Sequence, residues 1–342
     1  MTEYKRLIVL NNPCLIPKTK CKYDRILYAP LYKSLKQKES FQRIFTELKV
    51  YYPKIEWCED IESLPSDHVL SWDASYERRC FGDQILGYKN RLFDTINFEI
   101  ENSFTSFRKQ AEKRLPPFYE DAISPVIKDV QIEIDYYFNQ STLPLTYFDD
   151  RNGMVGRNYS TKFSRFLSQG TLDVRYLYNC IKEFECRYKS NKSTNWIVFE
   201  LLWREFFYWH YHKYTEHYFS ENGILGDKDF SAFRKYNFSE LKEVTDDLFF
   251  MAALNELEQT GFMSNRARQM FASFWINDLG LNWRSGAYFF EENLLDYDVF
   301  SNYGNWMYLA GVGVDPRGKR YFNISKQLKT YDPDGIYIKK WI

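Results

Sequence analysis

Residues 194–218 contain the pattern that most restricts the fold. Between Asn195 and Tyr211, the side chains Trp196, Phe199, Trp203, Phe206, Phe207 and His210 recur at helical spacing, so a helix puts them on one broad face. Ser193 or Thr194 can supply its N-cap. Rings of this size demand burial against neighbouring elements. Helical spacing also marks 161–188, 246–260 and 263–279, whereas 285–342 is rich in Tyr, Gly and Asn and reads as irregular connections. A mainly α chain with a helical domain over 147–342 is the expected outcome.

The N-terminal part reads differently. Residues 1–115 form a small α/β segment. It has a buried strand over Leu7–Leu10, a helix over 34–50 carrying Leu35, Phe41, Ile44, Phe45 and Leu48, a strand over Val69–Trp72 and a helix across 76–92. Pro116, Pro117, Pro125 and Pro144 make 116–146 a connector, with a short helix over 129–137.

Composition narrows the function classes. Aromatic residues are 19% of 342, which excludes disorder over most of the chain. Lys+Arg and Asp+Glu are 46 each, so bulk electrostatic attraction to nucleic acid is excluded and only a local basic groove is left. No run approaches the ~18 apolar residues of a bilayer span. The six cysteines form no CxxC, and Cys180 and Cys186 match no common zinc spacing. With no apolar h-region at the start of the chain, free thiols and an intracellular protein are expected. His210, His212 and His217 share no single face and read as core or surface histidines. Asp332-Pro333-Asp334-Gly335 reads as a turn before a terminal element.

Four polar clusters interrupt the aromatic helical part. Tyr159-Ser160-Thr161-Lys162-Phe163-Ser164 opens a helix, where hydroxyls and free N–H groups suit either a phosphate or plain capping. Glu200, Trp203 and Arg204 share one face, as a used pair or a surface-edge pair. Asn265, Arg268 and Gln269 share another. Asp296 and Asp298 precede Asn302 and Trp306. Two basic and two acidic residues in separate aromatic settings suggest a buried Arg–Asp pair facing a ligand.

These stretches resemble the photolyase/cryptochrome family. RNGMVGRNYSTKFSRFLSQGTLDVRYLY (151–178), FELLWREFF (199–207) and the whole of 260–323, with GNWMYLAGVGVDPR inside it, carry the resemblance, which continues to the C-terminus. The pattern is that of the DASH-type cryptochromes, and FTSFRKQAEK at 104–113 resembles the end of that branch's N-terminal domain. The resemblance implies a helical FAD-binding domain after a reduced α/β domain. It also implies blue-light repair of cyclobutane pyrimidine dimers in single-stranded or flipped-out DNA by electron transfer. By the same resemblance Tyr147, Ser160, Thr161, Phe163 and Ser164 line the pyrophosphate and ribitol side. Arg268 and Asp296 pair against the isoalloxazine, with Arg204 on the cofactor side, Asp298 at flavin N3 and Asn302 opposite N5. Glu200, Trp203, Asn265, Gln269 and Tyr308 face the dimer, and Arg266, Arg317 and Arg320 hold phosphates at the rim.

The sequence departs from the family in three places. The α/β part lacks the usual opening, so no antenna chromophore is expected. In 240–252 the family's Trp, Gly, Pro and Asp positions are replaced, and this segment helps wall the flavin pocket. Trp306 and Trp283 match two members of the family's electron relay, or are core aromatics. The third position falls near Phe230, with Tyr236 as a substitute. The first two departures favour a rival expectation, a non-catalytic descendant serving as light sensor or interaction subunit.

Overall fold

The computed structural model describes residues 6–9, 25–28, 33–58, 68–71, 85–87, 90–226, 228–314 and 320–342. Among the described residues five short strands are β1 (Arg6–Val9), β2 (Arg25–Tyr28), β3 (Ile55–Trp57), β4 (His68–Ser71) and β5 (Ile85–Gly87). The helices in chain order begin with α1 (Leu35–Tyr51), α2 (Phe104–Glu112), α3 (Lys128–Asp135), α4 (Leu143–Asp150), α5 (Ser164–Ser168), α6 (Val174–Tyr188) and α7 (Lys192–Tyr214). They continue with α8 (Phe238–Val244), α9 (Leu248–Thr260), α10 (Asn265–Asn277), α11 (Trp283–Asn293), α12 (Val299–Ala310), α13 (Ile324–Tyr331) and α14 (Ile336–Trp341). The mainly α class with a small α/β part is therefore the observed one.

Contacts divide the chain into two compact units that interleave in sequence. The first comprises Met1–Ile96, Pro116–Thr142 and Lys162–Ser190; the second comprises Asn97–Leu115, Leu143–Thr161 and Asn191–Ile342.

In the first unit the strands form one parallel sheet in the order β3-β2-β1-β4-β5. Leu7 is in register with Ile26 on one side and His68 on the other. Parallel neighbours require a crossover, and α1 lies between β2 and β3. Its N-cap Ser34 accepts from the Gln37 N–H, and Phe41, Ile44 and Leu48 face inward at helical spacing. The ring of Tyr28 on β2 meets Phe41 and Trp57 edge-on. One expectation fails here: the helix across 76–92 is overturned at Ile85–Gly87, which pair with β4 as a strand. Residues 76–84, 88 and 89 lie outside the described residues.

The expected single helix over 161–188 is two helices. Gly170 turns the chain in the left-handed region (φ 65°), and Asp173 caps α6 by accepting from the Arg175 N–H. Asn90 closes this corner, donating to Leu172 O and accepting from the Val174 N–H.

In the second unit α7 is central, packed against α2, α4 and α12. Its N-cap is Asn191 rather than Ser193 or Thr194. Asn191 accepts from the N–H groups of Ser193 and Thr194, and the Thr194 hydroxyl accepts from the Asn191 N–H in return. The terminal region expected to be irregular is mostly helical, over α11 to α14. The turn at 332–335 leads into α14, as expected: Gly335 is left-handed, and the buried Asp332 accepts from the Tyr337 N–H. The altered 240–252 segment folds into α8 and the start of α9, capped by Asn237 and Asp247, with Phe250 stacked on Phe271 at 4.5 Å.

Candidate cofactor site

Ser264 caps α10 by accepting from the Ala267 N–H, which places Arg268 one turn into the helix. From there Arg268 Nη2 donates to both carboxylate oxygens of Asp296, at 2.8 and 2.9 Å, and Nε donates to Met263 O at 2.8 Å. Asp296 is sunk (side chain 3% exposed), whereas the Arg268 side chain is 23% exposed. The Arg–Asp pair anticipated from the separated clusters is therefore formed, with its positive partner facing outward.

A second acid–base contact lies on α7 and α12. Asp298 caps α12 by accepting from the Ser301 N–H, and Arg204 Nε stands 3.9 Å from its Oδ2. One turn on, Asn302 donates through Nδ2 to Ala287 O on α11. Its amide oxygen is the acceptor end of that group.

Glu200 accepts from the Trp196 indole N–H at 2.9 Å. Burial raises its carboxyl above the ordinary range, against the opposing pull of Arg151 and the Trp196 hydrogen bond. The Arg151 guanidinium covers the Trp196 ring at 4.7 Å. Trp203, half-buried, has one face stacked on Phe104 (centroids 3.7 Å apart, planes 8° apart), and Tyr308 meets it edge-on at 6.4 Å. Arg320 lies over the Tyr308 ring at 4.5 Å. Asn265 is exposed at the first position of α10, and Gln269 is half-buried one turn on. Arg266 is tied to Asn152 and Gln327, with its guanidinium 4.2 Å from the Tyr331 ring centroid. Arg317 lies outside the described residues.

Tyr147 on α4 and Ser160 and Thr161 after it are half-buried. The hydroxyl segment does not cap a helix in the manner expected. The N-cap of α5 is Phe163, without a side-chain bond, and α5 has only five residues. Its distinctive feature is Lys162, a non-glycine residue held in the left-handed region at φ 59°, a conformation that persists only where surroundings impose it. Phe163 and Ser164 belong to the first unit. The Phe163 ring is buried between Tyr137 and Phe138, so it is core, and Ser164 is exposed.

Trp306 and Trp283 are both fully buried, and their indoles take different neighbours. Trp306 packs against Gly286, where an added Cβ would stand 2.2 Å from the ring. Among the described residues its ring neighbours include Trp275 at 6.0 Å and Phe290 at 5.2 Å, and those of Trp283 include Tyr303 at 6.2 Å.

Several pairings of this region went unread in the sequence. The Trp196–Glu200 bond is an i,i+4 pair and was readable from spacing. Phe104 on Trp203 and Trp275 on Trp306 are tertiary pairings with no local signal. His210 is a core histidine: Nε2–H donates to Glu101 O, and burial lowers its pKa to about 4.

Residues 196–342 match the family model described as the FAD binding domain of DNA photolyase. Cryptochrome DASH of Vibrio parahaemolyticus is 39% identical over 269 residues, covering 71% of this chain and 60% of that protein. Cryptochrome DASH of Xenopus laevis is 46% identical over 211 residues, 61% of this chain and 40% of that protein. The chain thus spans less than two thirds of the length of these curated relatives. Among solved structures, the Synechocystis cryptochrome superposes with TM-score 0.81 at 28% identity, covering 100% of this chain and 89% of that one. A class III photolyase from Agrobacterium tumefaciens shares the fold at 16% identity, TM-score 0.71, covering 100% and 87%. No helix among the described residues is long and apolar enough to cross a membrane.

Proposed function

The chain belongs to the photolyase/cryptochrome family, and from that premise we propose that it is a flavoprotein that repairs cyclobutane pyrimidine dimers in single-stranded or flipped-out DNA under blue light. The observation that carries this reading is the Arg268–Asp296 pair, with its acid sunk and its guanidinium half open. The guanidinium is not closed in with its acid and keeps an open side. One left open can still meet a further acceptor.

The donor set fits an FAD. Arg268 and Arg204 supply positive charge, Asp296 and Asp298 accept N–H groups, and the amide of Asn302 offers an acceptor. Tyr147, Ser160 and Thr161 add hydroxyls for the ribitol and diphosphate. The chemistry that a reduced flavin held by these residues would supply is one electron, lent to the dimer on excitation and returned afterwards.

The remaining work falls to the chain. Glu200 Oε1 is engaged by Trp196 and burial raises its carboxyl, which leaves Oε2 as the atom to face a base carbonyl. Trp203 and Tyr308 offer apolar faces to bases that have left the stack. Gln269 and Asn265 add amide groups at the mouth, and Arg266 and Arg320 meet phosphates at the rim. With no net charge, the chain binds DNA through those few contacts, and affinity falls with salt by a shallow slope.

A second reading, a non-catalytic light sensor or interaction subunit, is favoured by one observation: Phe104 occupies a face of Trp203. The two readings separate in one assay. Irradiated oligothymidine is incubated with the purified protein under blue light, and loss of dimers is followed by the return of base absorbance. Repair by the wild type that is lost in Glu200→Ala supports the enzyme. A yellow protein that leaves dimers intact supports the sensor.

A further inference from the structure

Phe104 is the first residue of α2, and its ring lies flat on the Trp203 indole, with centroids 3.7 Å apart and planes 8° apart. Among the described residues the other rings around Trp203 are Phe199, Phe206, Phe207 and Tyr308. They meet it tilted or edge-on, at 5.4 to 6.4 Å. Phe104 is buried, whereas Trp203 is half-buried, so the open part of the indole is not the face that Phe104 covers. Phe104 is itself wedged edge-on against Phe199 at 5.0 Å and Phe206 at 5.6 Å.

The chain leading into Phe104 is gripped by the last turns of α7. His210 Nε2–H donates to Glu101 O at 3.0 Å, Lys213 Nζ donates to Ile100 O at 2.6 Å, and the Tyr214 hydroxyl donates to Asn102 Oδ1. Positions 203, 210 and 214 lie on one stripe of α7. The same stripe therefore fixes where α2 begins and receives its first ring. All of these residues belong to the second unit.

We propose that Phe104 is a positioning residue for recognition of the damaged base: stacked on one face of Trp203, it fixes the indole so that the other face stands ready for a base that has left the stack. The inference rests on the reading that Trp203 receives a flipped-out dimer. Phe104 acts on the base through Trp203. A base that stacks on a swinging indole must order that side chain as it binds, whereas a braced indole has been ordered during folding, and the saving goes to affinity. The brace also makes the site one-sided, because a base can lie against Trp203 on a single face.

The test measures the dissociation constant of the full chain in the dark for irradiated and for unirradiated oligothymidine. Flavin absorbance and far-ultraviolet circular dichroism report cofactor retention and folding. In Phe104→Ala, binding of the irradiated oligonucleotide is expected to weaken on the order of tenfold, while binding of the unirradiated one, held by phosphate contacts, stays at the wild-type value. Adding Phe104→Ala to Trp203→Ala is expected to cause no further loss, because the brace then has nothing to hold. If Phe104→Ala does not fold, Phe104→Leu, which keeps apolar bulk without a flat ring, carries the same comparison. A loss that adds fully to that of Trp203→Ala overturns the proposal. So does tighter binding in Phe104→Ala, which would make the ring a plug on the site. Equal constants for wild type and Phe104→Ala refute the brace alone. A wild type that binds both oligonucleotides equally refutes the parent reading, and the brace with it.

Discussion

Arg175 in the first unit and Arg268 in the second are both arginines with carboxylate partners, yet they are built inside out relative to one another. The Arg175 side chain is 8% exposed, while its partners Asp94 and Asp121 are 73% and 55% exposed. Its Nε donates to Arg91 O, so the guanidinium closes on the chain itself. Around Arg268 the acid is hidden and the base is half open. The first arrangement is a staple across α6 and the segment before it. The second leaves a cation presented outward on a buried counter-charge, which is the arrangement that the proposed binding role requires. Burial of the partner, more than the presence of an ion pair, tells the two apart.

The comparison breaks most readily at the acids. Removing Asp296 leaves Arg268 with an unneutralised charge beside a buried hole, so Asp296→Ala is expected to cost about 3–5 kcal/mol and to abolish flavin retention. Asp94→Ala removes a largely exposed partner and is expected to cost under about 1 kcal/mol with flavin retained. Urea unfolding and the flavin absorbance of both purified variants check this. Equal losses would erase the distinction.

A sharper test uses a closed group that titrates. His210 is neutral when folded, with its Nδ1 buried and without a hydrogen-bond partner, so a second proton has nowhere to bond. Its folded pKa is lowered from 6.5 to about 4, chiefly by burial. The unfolded chain therefore binds the proton first. Stability is untouched above about pH 6.5 and falls as pH drops toward 4, by about 3 kcal/mol in all. His210→Gln keeps a donor for Glu101 O without titrating, so its unfolding should be flatter across that window. A wild-type slope equal to that of the variant would contradict the assignment.

A smaller effect than at Asp296 is expected at Tyr337. Its hydroxyl donates to the buried Glu256 at 2.6 Å, fixing α14 to α9. Tyr337→Phe leaves that carboxylate short of one donor and should cost about 1–3 kcal/mol while leaving flavin retention unchanged. Loss of flavin in this variant would make the C-terminal helix part of the site rather than its support.

What could be read from the chain followed physical range. The helical pattern of α7, α9 and α10 was legible because its spacing is local. The Arg268–Asp296 pair was legible although 28 residues separate its members, because each stood as a charge among aromatic residues that had to be buried. The break at Gly170 was missed because apolar residues continue through it. The strand Ile85–Gly87 is too short for periodicity to distinguish from a helix turn. The cap of α7 slipped because Asn191, Ser193 and Thr194 are all good cap residues, and only backbone geometry selects among them. The stacking of Phe104 on Trp203 and of Trp275 on Trp306 depends on how helices meet, which no spacing along the chain encodes.

The account rests on the outward face of Arg268 meeting a flavin. Its most direct test is the ratio of flavin to protein in purified wild type and Arg268→Ala, with far-ultraviolet circular dichroism to confirm folding. The wild type should carry flavin, and a folded Arg268→Ala should be colourless. A folded Arg268→Ala that retains flavin at the wild-type ratio would contradict the account.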